Sequence, residues 1–209
     1  MTQPGPQRPY GGRSAAERRA DRRARLIDAG LEMFGTVGYP MSPVSRICKV
    51  ANLSTRQYYE EFASREALLL AVYDAINSDA LAAVAAALDA LDDPSLAARW
   101  QVALTAYVRA MATDLRRTRV AYVEIVGVNP AIEAHRMERR RLWSSYIEST
   151  LRVPIEAGEI PDRDYRLAAG AFIGAVNGML QDWCATDDRA PLDDVIAELA
   201  RLALALMVR

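Results

Sequence analysis

The chain of 209 residues has one histidine, two cysteines and one lysine. His135 stands alone, and Cys48 and Cys184 lie far apart, so their spacing assembles neither a zinc-ligand cluster nor a Cys-His nucleophile pair. No GxGxxG, GxxxxGK[ST] or GxSxG motif occurs, which removes the usual phosphate cradles and the nucleophile elbow. An enzyme is therefore not expected, and neither is a cofactor or a metal. No uncharged apolar run reaches about 18 residues, and the N-terminus is polar and Arg-rich without a hydrophobic signal core. These absences predict a cytoplasmic protein with no membrane partner. Strand-like alternation and fixed-period repeats are missing as well, which leaves an all-α chain that is not a solenoid.

What is present is unevenly distributed. The net charge of −1 conceals a basic head, because residues 1–66 carry 11 basic and 7 acidic side chains while residues 67–209 carry 15 and 20. A head of this sign on an acidic body suits a protein that approaches nucleic acid with one end. Arg13, Arg18, Arg19, Arg22, Arg23 and Arg25 concentrate the charge. Residues 1–17 read either as a flexible basic arm that follows phosphates or as a solvated tail. Arginine supplies all but one of the basic residues, a codon bias that suggests a GC-rich bacterial genome.

The stretch from Ser42 to Phe62 reads as two short helices joined by a tight turn. Ser42 and Pro43 form a helix start, with proline at the first helical position. Val44, Ile47 and Ala51 then share an apolar face, and Arg46 and Lys49 point away from it. Asn52 tolerates the left-handed conformation that a sharp turn requires. Ser54 caps a second helix in which Tyr58 and Phe62 pack inward with Leu53, leaving Thr55, Arg56 and Tyr59 on the other side and Gln57 at its flank. The major groove admits a short helix of this kind, and Arg or Gln in its first turn matches guanine or adenine edges, so Arg56 and Gln57 are the base-reading candidates. From this motif alone, an ordinary helical hairpin with a solvated face remains the alternative.

The flanking segments, RLIDAGLEMFGTVGY at 25–39 and SREALL at 64–69, complete a pattern that resembles the DNA-binding domain of TetR/AcrR-type transcriptional regulators over roughly residues 20–72. The resemblance implies an N-terminal helix-turn-helix domain at 18–72 and a C-terminal helical ligand-binding and dimerisation domain at 73–209. It implies phosphate contacts for Tyr59 and Arg65, backbone contacts for Ser42 and Arg46, and a base-facing turn of Thr55, Arg56 and Gln57 opened by Ser54. Asn52 stands where the family has glycine, and Tyr58 where it has an aliphatic residue. Glu60 and Glu61 stand where aromatic residues or histidine are common; they are expected to turn toward water or toward Arg65. The partners implied are a double-stranded operator, a second copy of the chain and a small-molecule effector. The rival reading is a helical small-molecule-binding or interaction protein without specific DNA binding.

The rest of the chain carries helix patterns over 64–92, 95–113, 114–127, 130–158, 164–186 and 191–208, punctuated at Pro94, Pro130, Pro161 and Pro191. Pro154 should kink or shorten its helix, and the 64–92 helix should couple the two domains. Gly170, Gly174 and Gly178 recur at intervals of four, each costing roughly 1 kcal/mol relative to alanine, so close helix approach is the expected return. With Leu199, Leu202 and Leu206 they form the expected homodimer interface, with packing inside the chain as the alternative. Trp100, Tyr107, Met111, Tyr122, Trp143, Met179 and Trp183 are either plain core or the lining of an apolar pocket between helices. Glu124, inside an apolar run, is either exposed or an anchor facing a cation.

Overall fold

The computed structural model describes residues 14–93 and 95–208. Among these residues every regular element is helical. The order is α1 (Ala15–Thr36), α2 (Val44–Ala51), α3 (Thr55–Glu61), α4 (Arg65–Asp89), α5 (Leu96–Ala112), α6 (Leu115–Arg119), α7 (Pro130–Glu156), α8 (Arg166–Ala185) and α9 (Leu192–Met207). Most starts carry the cap that the sequence supplies. Ser14 and Ser54 form reciprocal capping boxes with Glu17 and Gln57, while Ser64, Ser95 and Asn129 accept from backbone N–H groups three residues on.

Three expectations are corrected. Of the proposed arm, Arg13 and the residues before it lie outside the described residues, but 15–17 belong to α1, which its capping box starts early. Pro43 is the N-cap of α2 rather than its first helical residue, because the Ser42 hydroxyl donates to the Gly38 carbonyl (2.6 Å) instead of capping the helix. Pro154 does not end its helix at once. It falls in the last turn of α7, which closes at Ala157 and at Gly158 with φ +71°.

The segment expected as one helix over 114–127 is broken. After five α-helical residues it widens into a π-helical turn, Val120–Glu124, and Gly127 (φ +72°) then reverses the chain. Such turns concentrate at functional positions because the extra residue redirects neighbouring side chains. Here Tyr122 is buried toward the body, and Glu124 reaches the N-terminal domain.

One continuous hydrophobic core runs through both halves, from Leu26, Phe34, Ile47 and Tyr58 through Leu68, Val72 and Ile76 to Trp100, Phe172 and Leu199. Each fully buried Leu, Ile or Phe side chain contributes about 1.5–3 kcal/mol. The spine is α4, which packs on α1 on one side and α5 on the other. By length and composition α4 alone among the described helices is apolar enough to cross a membrane, but Leu68, Leu69, Val72, Ile76, Ala80 and Val84 are buried inside the protein.

Candidate DNA-binding surface and ligand cavity

Asn52 adopts the left-handed conformation (φ 50°, ψ 51°) and ends α2, whose C-terminal carbonyls it and Leu53 satisfy through their N–H groups. Arg25 of α1 donates to the Ala51 and Asn52 carbonyls (2.5 and 2.9 Å), fixing the turn from outside. Tyr58 and Phe62 are buried, and the Tyr58 hydroxyl donates to the Ser64 carbonyl (3.0 Å). A tyrosine at this inward position is therefore satisfied. Burial keeps its phenol protonated, well above the ordinary tyrosine range.

The outer face of α3 presents Thr55, Arg56 and Tyr59, with Arg46 and Lys49 exposed on α2 beside it. Arg56 is 90% exposed and meets Glu60 one turn on at 3.3 Å. An exposed i,i+4 pair of this kind is worth a few tenths of a kcal/mol, so Arg56 leaves it readily.

Gln57 is differently placed. Its Oε1 accepts from the Ser54 N–H (2.9 Å) in the capping box, so pairing with both adenine N6 and N7 would require that bond to break.

Ser42 departs from its expected role. It is fully buried, its hydroxyl braces the α1–α2 turn, and its carbonyl accepts from Arg65 (3.4 Å). Arg65 is half-buried with its guanidinium over the Tyr39 ring at 4.1 Å. It thus combines a structural contact with a position at the edge of the surface.

Of the acidic pair, Glu60 faces water as expected and Glu61 departs from expectation. Glu61 turns away from Arg65, is 1% exposed, and accepts from Arg19 (3.1 Å) and Arg22 (2.9 Å) of α1. Arg23 lies over Phe62 at 4.4 Å and donates to the Glu61 carbonyl. Several arginines of the basic head therefore hold the recognition helix against α1.

Arginines also join this head to the body. Arg116 pairs with Glu32 of α1 and with Asp114, and Arg117 with Asp79 of α4 (3.0 Å). Arg119 donates to the Thr36 carbonyl (2.7 Å) and to Glu124 (2.8 Å). Glu124 in turn accepts from the Tyr39 backbone N–H at 2.7 Å, so it faces a cation as one reading held, but at the domain junction and not in a pocket. Gly35 permits the approach, since a Cβ there would lie 2.7 Å from the Arg116 Cα.

Within the body, a cleft opens between α4, α5, α7 and α8, lined by residues such as Val84, Leu104, Phe172 and Val176 together with Trp100, Tyr107 and Trp143. A smaller, more enclosed space adjoins it and includes Tyr107, Met111, Tyr122 and Trp143. Five of the eight expected pocket residues are thus brought together. Besides Glu124, Met179 packs at the core's edge and Trp183 binds the Ala190 carbonyl (2.8 Å) at the end of α8; neither lines these spaces. Sequence reasoning missed Tyr146, Phe172 and Arg140. Tyr146 stacks edge-on with Trp143, three residues away, a spacing that was readable.

The glycine stripe of α8 is not used inside the chain. A Cβ at Gly170 or Gly178 would meet nothing within 4 Å, and at Gly174 only Arg140, while Leu167 on the same helix is 89% exposed. On α9, by contrast, Leu199 is fully buried in its own core, and Leu202 and Leu206 are half-buried against it. Leu199 is therefore corrected from interface to intrachain packing, because that side of α9 faces α5 and α8.

Residues 26–72 match the family profile described as bacterial regulatory proteins, tetR family, and residues 93–207 match that of the tetracyclin repressor-like C-terminal domain. The chain belongs to the TetR family of transcriptional regulators. It is an all-helical DNA-binding protein of this family, with an N-terminal helix-turn-helix domain and a C-terminal helical domain. Over 183 residues it is 25% identical to the HTH-type transcriptional regulator SrpR of Pseudomonas putida, covering 85% of this chain and 82% of that one. The fold matches that of the fatty acid degradation regulator FadR of Bacillus halodurans (TM-score 0.78, 18% identity, 88% and 94% of the two chains). It also matches FadR of Bacillus subtilis, solved in complex with stearoyl-CoA (TM-score 0.77, 20% identity, 87% and 97%).

Proposed function

We propose that this regulator binds an approximately palindromic operator as a homodimer and is released when an elongated apolar molecule enters the cleft of the C-terminal domain. The observation that carries the ligand class is the cleft itself, whose walls are almost wholly aliphatic and aromatic. The B. subtilis relative's complex with stearoyl-CoA supports the same class. The α8 face of Leu167, Gly170, Gly174 and Gly178 is the proposed dimer contact, because only Arg140 approaches it, at Gly174, which leaves room for close helix approach. A two-fold dimer presents two recognition helices to one duplex.

The base-reading role falls to Arg56, with Thr55, Tyr59, Arg46 and Lys49 around it; Ser54 and Gln57 hold the first turn of α3 in shape. Coupling runs through the π turn, where Tyr122 faces the inner cavity and Glu124, two residues on, holds the Tyr39 amide. A ligand that repositions Tyr122 thereby acts on the head through α6 and α1 as well as through α4. A useful switch needs about 1–3 kcal/mol of differential binding.

The second reading, a ligand-binding helical protein without sequence-specific DNA binding, is favoured by one observation: Gln57 and Arg56 both have partners on α3 itself. A gel shift against the DNA flanking its own gene separates the two. The proposal expects a preference over random DNA at moderate salt that Arg56→Ala reduces by about 1–3 kcal/mol. No preference in the wild-type protein favours the second reading.

A further inference from the structure

The two cavities differ in chemistry. The smaller meets the larger across Tyr107, Trp143 and Ile173 and adds Tyr73, Asn77, Tyr122, Asn177 and Arg140, with no carboxylate in its lining. Its hydrogen bonds leave donors unspent. The Asn77 carbonyl oxygen accepts from the Trp143 indole N–H (3.3 Å), and its amide donates to the Tyr73 carbonyl (2.9 Å). Asn177 donates to the Ile173 carbonyl (2.6 Å). The Tyr107 and Tyr122 hydroxyls lie 2.9 Å apart and share one hydrogen bond. Burial keeps both phenols protonated, Tyr107 being pushed up to about 12 and Tyr122 raised well above its usual range. One hydroxyl hydrogen of the pair is therefore available to a ligand.

Arg140 is the stronger feature. Arg140 is half-buried, lines this end with its guanidinium beside Gly174 of α8, and makes no hydrogen bond or salt bridge among the described residues. Glu133, the carboxylate whose charge it feels, is already held by two nitrogens of Arg136 (2.8 and 3.0 Å). A half-buried cation beside protonated phenols and spare amide hydrogens, next to an apolar cleft, fits a molecule with an acceptor at one end and hydrocarbon at the other.

We propose that the inner cavity holds the carboxylate of a fatty acid, with Arg140 and the Tyr107–Tyr122 pair as donors and the chain lying along Trp100, Phe172 and Val176. This rests on the reading that the apolar cleft is the effector site. It is also more specific than that reading. A free acid offers an anionic carboxylate to these donors, whereas its coenzyme A thioester has only a neutral carbonyl there, so the free acid is selected over the thioester. A carboxylate without Arg140 would be buried against neutral groups alone, which disfavours the charged form.

The test is titration of the full-length protein with dodecanoate, dodecanol and dodecanoyl-CoA, read by calorimetry and by the fluorescence of Trp100 and Trp143. Dodecanoate is expected to bind most tightly. Arg140→Met should weaken it about tenfold or more, the loss of a charge-assisted hydrogen bond, while leaving dodecanol within a few-fold. Tyr122→Phe, which keeps the ring, should weaken dodecanoate several-fold and provides the test if Arg140→Met does not fold. Equal binding of acid and alcohol, with both variants indifferent, overturns the carboxylate site and leaves the apolar cleft intact. Preference for the thioester overturns it too. Binding of none of the three removes the cleft as a site for such chains, and the inner carboxylate site with it.

Discussion

Arg56 and Gln57 are adjacent in sequence but do different work, and the difference lies in what each side chain already holds. Arg56 is tied only to Glu60 by an exposed pair, whereas Gln57 closes the capping box that starts α3. Gln57→Ala is expected to lower stability by about 0.5–1.5 kcal/mol in chemical denaturation and to weaken all DNA similarly. Arg56→Ala should leave stability within about 0.5 kcal/mol and reduce discrimination instead. Equal loss of discrimination in the two variants would show that Gln57 abandons its cap to read a base. Acid should act through other residues. Hydrogen bonds from Arg116, Tyr39 and Arg136 hold Asp114, Glu66 and Glu133 below the ordinary carboxylate range. A lowered folded-state pKa means that these groups stabilise the protein fully above about pH 4–5 and lose that contribution as pH falls through their folded values. Circular dichroism melts between about pH 6 and pH 3 should show a falling Tm, and an unchanged Tm would mean that these contacts are not maintained in solution.

At the scale of elements, two contacts set where the recognition helix sits. One is the clamp of Arg19 and Arg22 on Glu61. Simple electrostatics predicts that Glu61→Gln, which removes a negative charge near phosphates, strengthens all DNA binding. The clamp predicts a split: non-specific binding holds or rises with a steeper salt dependence as two arginines are freed, while operator preference falls. Parallel gains in both would show that Glu61 has no positioning role. The other contact is Gly35 against Arg116. Gly35→Ala places a Cβ against backbone that cannot move aside, and should cost roughly 1–3 kcal/mol in thermal or chemical denaturation. The helices themselves were legible because each has its own punctuation: Ser54, Ser64, Ser95 and Asn129 cap, Asn52 turns, and apolar residues recur at helical spacing. The π turn was not legible, since Val120 to Glu124 carries no glycine or proline to mark it. The fates of Ser42, Glu61, Glu124 and Leu199 were equally hidden. Each is decided by a partner far along the chain or by packing against another helix, and local periodicity does not encode either.

For the whole molecule, the arrangement is a basic head held to an acidic body by arginines that serve three purposes. Arg56 and Arg46 face outward, Arg22 and Arg25 lock the helix-turn-helix, and Arg116 and Arg119 bind the body to it. In the proposed function, the open stripe on α8 meets the second copy, and the cleft with its polar inner end is the switch. The central claim is that occupancy of that cleft lowers affinity for a specific DNA sequence. The most direct measurement is fluorescence anisotropy of labelled DNA from upstream of the protein's own gene, at fixed moderate salt, with increasing dodecanoate. The account predicts binding of two chains per duplex, preference over random DNA, and release that saturates with the ligand and needs about tenfold more of it in Arg140→Met. Specific binding that stays constant while the ligand demonstrably fills the cleft would contradict it.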